Sequence, residues 1–381
     1  MNHWTWACVD GVLVLEGFIL ALALTPWTIR LARRVGWISH PDGGDDRRLH
    51  AAPMPVLGGL AIIGGFLGVV FGNLLLAYLL RPLVEERIPE VGRYLVNIPS
   101  TFKQLGAVLG GALAVAVLGL VDDRRPLGPW SKLAVMTLAA ALLPASGVRI
   151  EGFLPSPWMG AALTVVWVVF VTNSLNFLDN MDGLCAGVAA IIALAFGLIS
   201  FFAGEWFIAA IYAVLAGALL GFLRHNFNPA RLFMGDNGSL FTGYLIGALS
   251  VLSTYYERDV PSRLPVLTPV IVLGVPIFDT MTVMWIRLRT GRPLMLGDRN
   301  HFSHRLVDLG MSPRRAVTFI YIVTAAVALG AVPLRTVAPA GAVAILAQVS
   351  LLFWAIYRLE RTARGDRKRL QRRERRDKGS G

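Results

Sequence analysis

The stretch from Pro157 to Ala203 reads PWMGAALTVVWVVFVTNSLNFLDNMDGLCAGVAAIIALAFGLISFFA. Two apolar runs, Trp158 to Leu175 and Ala186 to Ala203, flank a short loop crowded with amides and carboxylates. Each run approaches the ~20 apolar residues that a helix needs to cross a ~30 Å hydrocarbon core. A spanning segment must also satisfy its own backbone hydrogen bonds, so the expected conformation is helical.

The same grammar extends in both directions. Toward the N-terminus lie runs from Val12 to Ala32, Val56 to Leu80, Leu105 to Val121 and Leu133 to Val148. Toward the C-terminus lie Trp206 to Leu223, Leu240 to Tyr255, Pro265 to Ile286, Ala316 to Pro333 and Ala338 to Tyr357. The 381 residues are 55% hydrophobic and 16% charged, and the mean hydropathy is +0.60. The fold expected is an all-α polytopic membrane protein with about 11 transmembrane helices. One transmembrane domain is expected over residues 1–357, followed by a basic tail over 358–381.

Orientation follows from Lys and Arg. Of the 36 basic residues, about 28 fall on one set of loops and the C-terminal tail, which makes that side cytosolic. An odd number of spans then puts the N-terminus outside and the C-terminus inside. No Lys or Arg precedes the first apolar run, so it reads as an anchor with its N-terminus outside rather than a cleaved signal. The tail carries Glu360, Asp366, Glu374 and Asp377 among its cations and reads as a solvated segment meeting anionic headgroups. Cys8 and Cys185 fall toward opposite faces and read as packing residues, not as a disulfide or a metal site.

Five loops on the basic side hold the chemistry. The first, RRVGWISHPDGGDDRRLHAAPMPVLGG, places Arg48 and His50 before the Gly58-Gly59 pair. The second, DDRRPLGPWSKL, ends a long apolar run on adjacent carboxylates, Asp122 and Asp123, and closes on Lys132. Such a carboxylate pair suits a hard divalent cation together with a general base. In the third loop Asn173, Asn176 and Asn180 stand with Asp179 and Asp182, at spacings that share a helix face. The fourth, RLFMGDNGS, sets Asp236 at the start of a helix, where it or Asn237 reads either as an N-cap or as part of an anion and metal site. The fifth, DRNHFSHRL, carries His301, His304 and Arg305, a set suited to diphosphate recognition. This inventory is that of phosphoryl transfer. A P-loop nucleotide hydrolase is disfavoured, because GxxxxGK[ST] is absent.

Taken in order, these five motifs resemble the polyprenyl-phosphate N-acetylhexosamine-1-phosphate transferases (glycosyltransferase family 4), from about Arg33 to Gly310. The resemblance implies transfer of an N-acetylhexosamine-1-phosphate, foremost GlcNAc-1-phosphate, from a UDP-sugar to undecaprenyl phosphate, giving the lipid diphosphate sugar and UMP. It implies Asp122, Asp123 and Lys132 as catalytic, with Mg²⁺ (Mn²⁺ as a substitute) on Asp122, Asp123, Asp182 and Asp236. Nucleotide and sugar would meet Asn173, Asn176, Asp179, Asp182, His301, His304 and Arg305, and the lipid phosphate would enter past Arg48 and His50. The expected setting is the bacterial inner membrane with the site on the cytosolic face, initiating envelope polysaccharide synthesis, with a homodimer allowed and no nucleic acid bound. The alternatives are a phospho-N-acetylmuramoyl-pentapeptide transferase and, from another class, a transporter of nucleotide- or lipid-linked sugars. Several positions depart from the family pattern: in the first loop His40-Pro41 precedes Asp42, a short Gly-Asp insertion follows and Arg48 stands where Lys is usual, while Asn180 stands where Gly is usual and Ser303 where His is usual.

Overall fold

The computed structural model describes residues 3–39, 53–151, 154–253, 255, 264–293 and 300–379. The chain is a helical bundle. In order come α1 (His3–Val35), α2 (Gly58–Leu79), α3 (Arg81–Arg87), α4 (Pro89–Arg124), α5 (Pro129–Ala145), α6 (Pro157–Leu178) and α7 (Leu184–Phe202). They are followed by α8 (Trp206–Asn226), α9 (Gly235–Leu252), α10 (Thr268–Val272), α11 (Gly274–Arg289), α12 (Phe302–Asp308), α13 (Pro313–Gly330) and α14 (Pro339–Gly379). A two-residue antiparallel pair, β1 (Ile38–Ser39) with β2 (Met54–Pro55), closes the first loop, with Ile38 opposite Pro55.

All eleven expected apolar runs fall on helical segments. Eight described helices are long and apolar enough to cross a membrane, nine if the bent pair Leu264–Val272 and Gly274–Arg289, kinked by 72°, counts as one span. The other two runs lie on α5 and α9, and each misses the mark for a physical reason. At 17 residues, α5 is about 26 Å long, short of a ~30 Å core, whereas α9 begins with the polar turn Gly-Asp-Asn-Gly-Ser. The protein is thus an all-α, multi-pass membrane protein. The boundary expected at residue 358 falls inside α14, which runs on to Gly379.

The most buried spans are α7 and α8. Small residues let helices touch backbone to backbone, the usual packing device where lipid offers no hydrophobic drive: a Cβ on Gly17 of α1 would lie 2.6 Å from the Val214 carbonyl oxygen of α8. These two helices run parallel, since the His3 ring meets Trp206 at their outset, 5.4 Å between centroids. Cys185 is buried, as its packing role requires, but Cys8 lies exposed; both are free thiols. Glu16, one of two ionisable residues within the apolar runs that stand apart from the loops, is held by Asn73 at 2.6 Å.

Candidate active site

Four helix ends converge. The last turn of α4 delivers Asp122 and Asp123, the first turn of α5 delivers Lys132, the last turn of α6 delivers Asn176, and the first turn of α9 delivers Asp236. The Lys132 ammonium bridges two carboxylates, 2.8 Å from Asp122 Oδ2 and 2.6 Å from Asp236 Oδ2. Asn176 donates to Asp236 Oδ1 at 3.0 Å and to Ser239 Oγ at 2.8 Å. Asp122 Oδ1 also accepts the Leu127 N–H at 2.7 Å, which folds the second loop back over its own carboxylate.

Asp123 works differently. Its Oδ1 accepts the Asp236 N–H at 3.0 Å. Its carboxylate therefore caps α9 from another helix, favoured by the dipole of that N-terminus. Asp236 and Asn237 lie inside α9 rather than capping it. This approach demands glycine: Gly235 has φ +74°, and a Cβ there would lie 2.7 Å from both Asp123 Oδ2 and the Val56 oxygen. A Cβ on Gly119 would collide with the Asp236 backbone, and one on Gly59 with Asn237 and Gly238. The first loop is stitched to the same place, with Gly58 N–H on Phe233 O at 3.0 Å and Gly59 N–H on Met234 O at 2.8 Å.

The third loop stands beside this cluster. Burial, with the Asp236 and Asp182 carboxylates nearby, raises the Asp179 carboxyl to about 8. Asp182 turns its Oδ2 to Asn228 Nδ2 at 3.1 Å and to the Ala230 N–H at 3.0 Å, holding the fourth loop. Asn173 points along its own helix, donating to Val169 O at 2.8 Å, and is not drawn into the cluster. The fifth loop adds a second node: His301 Nδ1 lies 2.8 Å from Asp279 Oδ2, and the Phe302 N–H reaches Asp279 Oδ1. The His301 ring meets Phe177, the neighbour of Asn176, at 5.9 Å, and the His304 ring at 6.5 Å. Two of the positions that depart from the family pattern meet each other, Ser303 Oγ donating to Asn180 Oδ1 at 2.6 Å.

Arg305 is turned inward. Its Nε lies 3.1 and 3.0 Å from the two carboxylate oxygens of Glu360, and Nη1 donates to the Asn300 carbonyl at 2.7 Å. Arg48 and His50 lie outside the described residues. Sequence reading passed over Asp279 and Glu360 as site residues. An ionisable residue within the α11 run was a usable signal for Asp279; Glu360, hidden among the cations of the tail, gave none.

Asp122, Asp123, Asp179 and Asp236 set four carboxylates against one ammonium. Their oxygens have the hardness that Mg²⁺ selects. Among the described residues no three such side chains lie close enough to hold an ion as they stand, and Lys132 occupies the gap between two of them. The donor set fits a hard cation in chemistry and charge.

The sequence profile of glycosyl transferase family 4 matches residues 105–254, the segment from α4 through α9. The chain is 32% identical to the probable undecaprenyl-phosphate N-acetylglucosaminyl 1-phosphate transferase of Bacillus subtilis, over 85% of each chain. It is 35% identical to the decaprenyl-phosphate N-acetylglucosaminephosphotransferase of Mycolicibacterium smegmatis, over 83% of this chain and 80% of the relative. It is also 30% identical to the phospho-N-acetylmuramoyl-pentapeptide-transferase of Desulforudis audaxviator, over 82% of this chain and 94% of the relative.

Proposed function

This chain belongs to glycosyl transferase family 4, and on that premise we propose that it transfers GlcNAc-1-phosphate from UDP-GlcNAc to undecaprenyl phosphate. The lipid phosphate oxygen attacks the sugar-bearing phosphorus of the donor, the bond to the bridging oxygen breaks, and UMP leaves. The observation that carries this reading is Lys132 held between Asp122 and Asp236, with Asn176 fixing the second carboxylate.

Two anions must meet in this reaction, so the barrier is chiefly electrostatic. Lys132 neutralises charge between the lipid phosphate and the donor diphosphate. Asp122, the carboxylate beside it, takes a proton from, or orients, the attacking phosphate. Asp123 holds the first turn of α9, and through it Asp236, in place. His301, oriented by Asp279, contacts the donor phosphates together with His304. Asp122, Asp123, Asp182 and Asp236 would hold Mg²⁺, with Mn²⁺ as a substitute, and a bound cation would supply further screening of phosphate charge.

The finer topology belongs to the same proposal. Eleven spans place the N-terminus outside and the C-terminus in the cytosol, and the site faces the cytosol in the bacterial inner membrane. The transferase domain is assigned to residues 1–357 and the basic segment to 358–381, whose first turn sends Glu360 back to Arg305 of the fifth loop, and the enzyme initiates an envelope polysaccharide. The N-acetylglucosamine branch is favoured over the pentapeptide branch by identity and coverage together: 32–35% over 83–85% of this chain, against 30% over 82% and 33% over 58%. A transporter is disfavoured, because the carboxylates gather at helix ends rather than at mid-membrane. The test is UMP release by purified protein with Mg²⁺ and undecaprenyl phosphate. UMP with UDP-GlcNAc is expected; UMP only with UDP-N-acetylmuramoyl-pentapeptide would move the chain to the other branch, and release undiminished in excess EDTA would remove the metal.

A further inference from the structure

A cavity of about 530 Å³ opens between α1, α8, the fourth loop and α13. Phe18, Leu220 and Tyr321 give it an apolar lining, Leu220 lying one turn before Arg224 on α8. Two guanidinium cations, Arg224 and Arg231, and the His225 imidazole complete the lining. Among the described residues no carboxylate pairs with Arg224 or Arg231, and His225 Nδ1 is buried with no hydrogen-bond partner. Arg314 adds a third cation close by, 5.4 Å over the Phe227 ring.

Depth along the bundle fixes what such a cavity meets. Arg224 lies 18 residues beyond Trp206 on α8, about 27 Å at 1.5 Å per residue, near the far edge of a ~30 Å hydrocarbon core whose other edge is at Trp206. The cations therefore stand at headgroup level and the Phe18 and Leu220 lining just inside the hydrocarbon. A phosphate joined to an acyl chain complements both levels at once; a free phosphate complements only the cations.

We propose that this cavity seats the phosphate headgroup of one anionic phospholipid, bound by Arg224, His225 and Arg231, with the start of an acyl chain along Phe18 and Leu220. Its walls reach the third loop. Asn228 and Ala230 hold Asp182 at 3.1 and 3.0 Å, and the Tyr321 hydroxyl donates to Gly183 O at 2.5 Å. An occupied cavity therefore braces the Asp182-Gly183 turn from behind.

The test reads lipid, not activity, so it stands apart from the proposed transferase reaction. Delipidated full-length protein is given phosphatidylglycerol, phosphatidylcholine or inorganic phosphate and followed by native mass spectrometry. One tightly retained phosphatidylglycerol per chain is expected, weakened at least about tenfold by Arg224→Gln/Arg231→Gln. Arg33→Gln/Arg34→Gln, which removes equal charge from the end of α1 on the same side, is expected to retain it. Equal loss in both doubles would reduce the effect to general surface charge. Equal retention of phosphatidylcholine, or displacement of phosphatidylglycerol by millimolar phosphate, would also overturn the proposal. A photoreactive phosphatidylglycerol on the unmutated protein guards against misfolded variants: labelling between Leu220 and Arg231 is expected, and labelling elsewhere alone would refute the site.

Discussion

Neutralising Glu360 offers the clearest prediction about how the fifth loop is held. Its carboxylate grips the Arg305 guanidinium through both oxygens, and the side chains are only 8% and 1% exposed. Glu360→Gln keeps the shape and removes the charge, so an almost fully buried guanidinium is left without its counter-ion. Removing one partner of such a pair typically costs about 3–5 kcal/mol, or a factor of at least about 10² in the equilibrium that docks α12 on α14, at 1.4 kcal/mol per decade. The assay is native-state hydrogen exchange of the amides across Phe302–Asp308, where exchange is expected to speed by about that factor. Arg305→Gln should produce a similar change. Because the two side chains serve one contact, Arg305→Gln/Glu360→Gln should resemble either single variant rather than their sum. Strictly additive effects, or Glu360→Gln exchanging at the wild-type rate, would refute the reasoning and return Arg305 to a direct role in donor binding.

Two further substitutions probe the node that carries the chemistry. Gly119→Ala places a methyl group against the Asp236 backbone; it is expected to destabilise the fold by about 1–3 kcal/mol through overpacking, seen as a lower melting temperature, and to cut UMP release by about 10² through displacement of Asp236. Asp279→Asn removes the charge that faces His301 Nδ1 at 2.8 Å; UMP release is expected to fall about tenfold or more in the wild type and to change little in a His301→Ala background, where Asp279 has no ring left to orient.

The fold was legible because hydropathy and length act locally: every expected apolar run became helical, from Val12 to Tyr357. Where span identity blurs, at α5 and α9, the helices are short or begin with the residues of the site, so composition no longer reports burial. The gathering of Asp122, Asp123, Lys132, Asn176 and Asp236 was legible as a set of residues, but not as a wiring diagram. No spacing could reveal that Asp123 caps a helix 113 residues away, or that Asn173, one turn before Asn176, bonds its own backbone. Glu360 was illegible for the opposite reason. Among eleven cations in a polar tail, a buried carboxylate looks like a solvated one until its partner is placed beside it.

The most direct test of the central claim compares UMP release by the wild-type protein and by Asp236→Asn, each purified and supplied with undecaprenyl phosphate, UDP-GlcNAc and Mg²⁺. Asp236 binds Lys132 at 2.6 Å and Asn176 at 3.0 Å, so the substitution keeps the size of the side chain and removes the charge that joins three helix ends. Rapid UMP release by the wild type and a fall of about 10² or more in a variant that still melts cooperatively is the result expected. Equal UMP release by both proteins would contradict the assignment of this carboxylate cluster as the place where sugar-1-phosphate transfer occurs.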